Sequence, residues 1–367
     1  MSIITKEKST TKYIERLQSV PENTRQNKEN AIRKFKEFCK KHHNTTPDEL
    51  CKELLVMKKQ NEEEYTNTLY DILQDWIVEN SKTINPNSLK TIFSNIRSYI
   101  YYFGIKTDPQ DIKHLLLFPR IPREEKHPLK HTELFKIIND QSRNLVRKAL
   151  YLACSSSGMR IGEAVQIRKS DLEFKERIQI NIRPEYTKTQ TGRSVFISKE
   201  CQDVLEEYLE NLESGDIIFF KGKSKNPKIR ASNEARRLRE CLDRIGLDKK
   251  YGSSKKYKIS SHSFRAFFFT QAVRKHGENY AHRLTGHGGY LMQYDRMTDE
   301  EKLKMYIELE SELVVFDISK QDLEIEKLKI QQNKEIKEMK EQMQSLQSQL
   351  ANQGMEILKK LQQNGKM

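Results

Sequence analysis

The chain has 367 residues, 36% hydrophobic and 32% charged, with 15 Phe and 15 Tyr. That length suits two domains and an appendage, and the aromatic content excludes a disordered chain. No apolar run approaches the roughly 18–20 residues of a membrane span, and the opening residues lack the apolar stretch of a signal peptide, so a membrane protein is excluded. The net charge is +14, and residues 301–367 hold 11 basic against 12 acidic residues, so the basic excess belongs to the first 300. A basic body attracts polyanions, of which nucleic acid is the usual one. Cys39, Cys51, Cys154, Cys201 and Cys241 form no C-x-x-C pair, which argues against a disulfide framework or a structural zinc and for a reducing cytoplasm.

Residues 1–20 are polar and read as a flexible segment. Four helices are predicted over 24–42, 46–59, 62–80 and 87–103. Thr46-Pro47-Asp48-Glu49 reads as an N-cap, a first-turn proline and a capping-box acid. Tyr65, Leu69, Ile72, Trp76 and Ile77 share one helix face; Leu89, Ile92, Phe93, Ile96, Ile100 and Phe103 share another, with Gly104 as its C-cap. These make a helical domain over 21–117. The stretch 118–130 carries three prolines among basic residues and reads as a linker to a second domain over 131–316.

In that second domain, 131–168 reads as mostly helical. Residues 177–182 and 193–198 alternate apolar and polar positions around PEYTKTQTG, a hairpin pattern. Helices resume near 200–213, 230–245, 263–276 and 299–314. The fold class is therefore mainly α with a small β-hairpin or sheet. Over 320–364, Ile336, Met339, Met343, Leu346, Leu350, Gln353 and Ile357 step alternately by three and four, a heptad seam that predicts a coiled-coil tail.

The chemistry-bearing residues fall in the second domain. SSGMRIGEA at 156–164 sets Arg160 behind a glycine, in what reads as an amphipathic helix. Lys188 lies at the hairpin tip. H-S-F-R puts His262 and Arg265 on one helix face, and T-G-H-G carries His287, with tyrosines at 290, 294 and 306. Two arginines can clamp phosphate oxygens bidentately, a tyrosine oxygen can attack phosphorus, and Lys and His can move protons. Together these residues form a phosphoryl-transfer set with no paired carboxylates and no metal ligands.

In order and spacing the set resembles the catalytic domain of tyrosine recombinases, the phage-integrase superfamily. SSGMRIGEA resembles the family's T-G-x-R-x-x-E segment, KTQTGRSVFI its hairpin, HSFRAFFFT its H-x-x-R helix and LTGHGG its L-G-H segment. The resemblance covers about 128–315 and implies a core-binding domain before it. It assigns Arg160 and Arg265 to the scissile phosphate, Lys188 to the leaving oxygen, His262 to proton transfer and His287 to a phosphate hydrogen bond. The usual nucleophile position falls on Arg296; Tyr294, two residues earlier, is the expected nucleophile, ahead of Tyr306. QYDRMTDEEKLKMY is similar to integrases of archaeal mobile elements.

The resemblance implies a site-specific recombinase working through a 3′-phosphotyrosyl link, with no cofactor, metal or ATP. Its implied partners are double-stranded DNA and other copies of the chain, as a tetramer on DNA, in a nucleoid-associated cytoplasmic setting. A monomeric topoisomerase of the same chemistry and an inactive DNA-binding scaffold stay open as alternatives at this point.

Overall fold

The computed structural model describes residues 7–120, 124–286 and 296–316, with Gln332, Ile336, Met339, Lys340, Gln342 and Met343 of the tail. The chain divides into two compact units between Glu124 and Glu125, inside the proline-bearing stretch 118–130.

The first unit is helical: α1 Thr10–Arg16, α2 Glu22–His43, α3 Pro47–Gln60, α4 Glu62–Ser81, α5 Pro86–Phe103 and α6 Pro109–Leu115. The local signals act as their chemistry requires. The Thr46 hydroxyl accepts from the Glu49 amide at 3.3 Å while the Glu49 carboxylate accepts from the Thr46 amide at 3.0 Å. Gly104, at φ 112, ends α5 in a conformation that favours glycine. The two predicted apolar faces of α4 and α5 are buried around Trp76 and Tyr99.

The expectation of a flexible segment over 1–20 is corrected from Ser9 onward. Ser9 caps α1, and Leu17–Ser19 add a 3-10 turn. Tyr13 and Leu17 are buried, and the Asp48 carboxylate accepts the Thr10 amide at 3.0 Å and the Tyr99 hydroxyl at 3.1 Å. One buried side chain in a seven-residue helix, Tyr13, leaves no periodicity to read.

The second unit holds α7 His131–Asp140, α8 Leu145–Ser157, α9 Ile161–Ala164, α10 Lys199–Leu209, α11 Pro227–Arg244, α12 Ser261–His276, α13 Glu278–Thr285 and α14 Asp299–Glu310. Its antiparallel sheet runs β1 Leu172–Glu173, β2 Gln179–Ile182 and β3 Arg193–Phe196. The predicted hairpin is β2–β3, with Ile180 opposite Val195; β1 adds a strand that two residues could not announce. The core centres on Tyr151, Phe196, Phe264, Phe268, Tyr280 and Tyr306.

Helix α14 is tied down by polar groups as well as by packing. The buried Glu310 carboxylate accepts from Arg177 Nε at 2.9 and 3.0 Å and from the Lys199 amide at 2.6 Å. Asp299 accepts from Ser194 at 2.6 Å, Gln179 at 3.1 Å and Lys302 at 2.6 Å. Tyr280 donates to the Lys302 carbonyl at 3.0 Å. Removing one partner of a buried pair leaves an uncompensated charge, so Arg177→Ala should cost about 3–5 kcal/mol in chemical denaturation of this unit. An unchanged midpoint would refute this account of how α14 is held.

Candidate active site

The site starts with a turn. Helix α8 ends at Gly158, at φ 69, where a Cβ would lie 2.5 Å from Phe268 Cδ1 and 2.9 Å from Thr285 Cγ2. Only glycine fits this close approach and this backbone. The chain then reverses, and Arg160 becomes the N-cap of α9. The expectation of an amphipathic helix containing Arg160 is therefore corrected: the glycine cap ends one helix before Arg160, and the next starts after it.

Glu163 organises the guanidinium groups. It is 2% exposed and accepts from Arg160 Nη1 at 2.8 Å, the Arg160 amide at 2.9 Å and Arg193 Nη2 at 2.6 Å. Burial alone would raise its pKa, but the hydrogen bond and charge of Arg193 and the bonds from Arg160 hold it below the ordinary value. Arg193 also donates through Nε to the Leu284 carbonyl at 2.7 Å. The sequence reading gave neither residue a role. Their signal was present, since Glu163 and Arg193 both stand in the matched segments, but an ion-pair network exists only after folding.

Arg265 is 2% exposed within α12. Its Nη1 donates to the Gly158 carbonyl at 2.7 Å and its Nη2 to the Thr285 carbonyl. Burial, and then the positive charge of Arg160, lower its pKa to about 10, so it remains a cation at neutral pH. Lys188 is exposed in the β2–β3 connection, behind the 3-10 turn Pro184–Tyr186.

Arg160, Lys188, His262 and Arg265 all line one cleft of about 420 Å3. Glu163, Gln166 and Tyr186 are also in its wall. Partial burial first, then the charges of Arg265 and Arg160, hold His262 below its ordinary value of 6.5. Its ring is therefore neutral at pH 7, able to accept a proton. In the DNA-free protein, an NMR titration of His262 should show a midpoint below 6.5. The unfolded ring protonates more readily, so His262 detracts from stability as pH falls below that value. A midpoint at or above it would remove the electrostatic coupling to the two arginines.

His287 and Tyr294 lie outside the described residues. Tyr306 does not, and it is a core residue: fully buried, packed on Phe196, with its hydroxyl donating to the Ser156 carbonyl at 3.0 Å. Burial pushes its pKa well up, the opposite of what an attacking phenolate needs. Among the described residues no cluster of His, Cys, Asp and Glu could hold a metal ion, and no helix is long and apolar enough to cross a membrane.

Residues 128–289 match the phage integrase family. A probable integrase/recombinase of Acholeplasma phage L2 is 24% identical over 198 residues, covering 52% of this chain and 65% of its own length. A putative integrase/recombinase of Sinorhizobium fredii is 25% identical over 152 residues, 41% of this chain and 47% of the relative. The chain thus spans less than two thirds of these curated relatives. Among solved structures, the Tn1549 transposon integrase in complex with transposon right-end DNA superposes with a TM-score of 0.54 at 14% identity, over 82% of this chain and 97% of that one, which shows a shared fold. The stretch that matches the phage integrase family includes Arg160, Lys188, His262 and Arg265, the four residues that line the cleft.

Proposed function

We propose that this protein is a site-specific DNA recombinase or integrase that cleaves and rejoins duplex DNA through a 3′-phosphotyrosyl intermediate, without metal or ATP. The observation that carries the reading is the single cleft to which three separate segments bring Arg160, Lys188, and the His262 and Arg265 of α12. Two guanidinium groups prearranged on a buried carboxylate and two carbonyls suit a phosphate whose charge grows in the transition state. Tyr294 Oη attacks phosphorus, the bond to O5′ breaks, and Lys188 protonates the departing oxygen. His262 takes up the tyrosine proton, and His287 donates a hydrogen bond to the phosphate. The broken phosphodiester is replaced by a phosphotyrosyl ester, so attack by a second 5′-hydroxyl reverses the step on a partner strand. The names of the relatives, integrase and recombinase, favour this reading over a topoisomerase or a scaffold.

Four protomers would act on two duplexes of nucleoid DNA in the cytoplasm, with the tail raising the local concentration of chains. Ile336, Met339 and Met343, three positions of the predicted seam, are helical and exposed. The direct test is a suicide duplex nicked beside the cleavage site. A covalent protein–DNA adduct and joined products from two duplexes are expected; absence of both overturns the proposal. Ending the chain after Phe316 should leave adduct formation intact and weaken joining, since all six proposed catalytic residues lie before that point. Equal joining by the shortened and full chains would remove the tail from the reaction.

A further inference from the structure

A second cleft, of about 730 Å3, adjoins the first: Ser261 and His262, in the opening turn of α12, line both. Its lining differs from that of the catalytic cleft. Lys126, Arg239, Lys255, Lys256 and Lys258 bring five cations to it, and no carboxylate is among its described lining residues. Beside them stand Leu238, Ile259 and the rings of Tyr251 and Tyr257. The Tyr251 hydroxyl accepts the His127 amide at 2.8 Å, and the Tyr257 hydroxyl donates to Asp243 at 2.8 Å. Both hydroxyls are engaged; Tyr251 is buried, and the half-buried Tyr257, with Lys250 over its ring at 4.8 Å, is the aromatic ring that a ligand can reach.

The segment that carries the lysines has a defined shape. Lys258 N donates to the Lys249 carbonyl at 2.8 Å, Tyr251 N to the Lys256 carbonyl at 2.9 Å and Lys255 N to the Tyr251 carbonyl at 3.0 Å. Lys255 sits at φ 55, a conformation that a side-chain-bearing residue adopts only when its surroundings enforce it. Lys126 and Lys258 lie over the Tyr251 ring at 5.0 and 5.8 Å, which keeps their ammonium groups at the cleft.

We infer that this cleft binds unpaired deoxynucleotides of the DNA strand next to the scissile phosphate. Five cations without a carboxylate complement phosphodiesters. A concave aromatic and aliphatic lining complements the face of a base, which a duplex keeps stacked inside itself and only an unpaired nucleotide exposes. The shared turn of α12 makes the cleft continuous with the place where the reacting phosphate is held. Strand exchange requires the freed 5′-hydroxyl strand to leave its duplex, and a site that holds its bases unpaired stabilises that state. The inference rests on reading the adjoining cleft as the DNA-cleavage site.

The test compares the anisotropy of a short labelled oligothymidylate with that of a labelled duplex on the full chain. Lys255 and Lys256 are exposed, so their double replacement by Ala leaves the core untouched. That variant and Tyr257→Leu should each bind the single strand about 10-fold more weakly than the parent, with duplex affinity changed far less. Tyr257→Phe keeps the ring, loses only the bond to Asp243, and should retain single-strand affinity. Unchanged oligothymidylate binding in Tyr257→Leu and the double variant overturns the inference. So does an equal loss for duplex and single strand, which would make the cleft a general attractor of DNA backbone. The adduct assay separates the two readings. A parent chain that forms no adduct defeats the cleavage site, whereas an active parent with indifferent cleft variants defeats only the nucleotide site.

Discussion

Tyr294→Phe should abolish the covalent adduct on a nicked suicide duplex while DNA binding survives. The substitution removes one oxygen, and that oxygen is the proposed nucleophile, so no phosphotyrosyl bond can form. The competing assignment predicts the reverse pattern, with the adduct persisting in Tyr294→Phe and vanishing in Tyr306→Phe. The structure gives Tyr306 a different task. Its hydroxyl satisfies the Ser156 carbonyl inside the core, so Tyr306→Phe should cost about 1–3 kcal/mol of stability and leave the adduct in place. Mapping the DNA-linked peptide by mass spectrometry decides between the two, and a link at residue 306 would defeat the assignment of Tyr294.

The second large effect concerns the guanidinium forks. Arg160→Lys and Arg265→Lys keep a positive charge but lose planar, multidentate donation. Arg265 spends Nη1 on the Gly158 carbonyl and Nη2 on the Thr285 carbonyl, a division of donors that one ammonium on a flexible stem cannot reproduce. Arg160 likewise holds Glu163 through Nη1 while lining the cleft. Each variant should slow single-turnover cleavage by roughly 100-fold or more, by analogy with the loss of an oxyanion donor. Near-normal cleavage in both would refute the phosphate clamp.

The sequence carried the long elements well because their physics is local. The faces of α4 and α5 repeat at helical spacing, the Thr46 capping box and the Gly104 cap act within a few residues, and the alternation in β2 and β3 is direct. Short elements escaped: β1, α1, α6 and α13 are too brief for a period, and tertiary contacts make them. The glycine before Arg160 was visible, yet whether it lay within a helix or ended one depended on Phe268 and Thr285, more than 100 residues away in sequence. The site shows the same division. Arg160, Lys188, His262 and Arg265 were legible as motif positions, whereas the dependence of two arginines on Glu163 required their positions in space.

Arg265 carries a consequence for how DNA would be sensed. A mobile surface lysine must shed water and freeze its rotamers when it meets a phosphate, and it trades bound salt ions in doing so. The Arg265 guanidinium is already dehydrated and fixed between two carbonyls before any ligand arrives. Ionic strength should therefore govern how often DNA reaches the cleft, through the exposed cations, and have little influence on how fast a seated phosphate reacts. Raising the salt would thin the population of complexes while leaving the first-order rate of the survivors nearly constant.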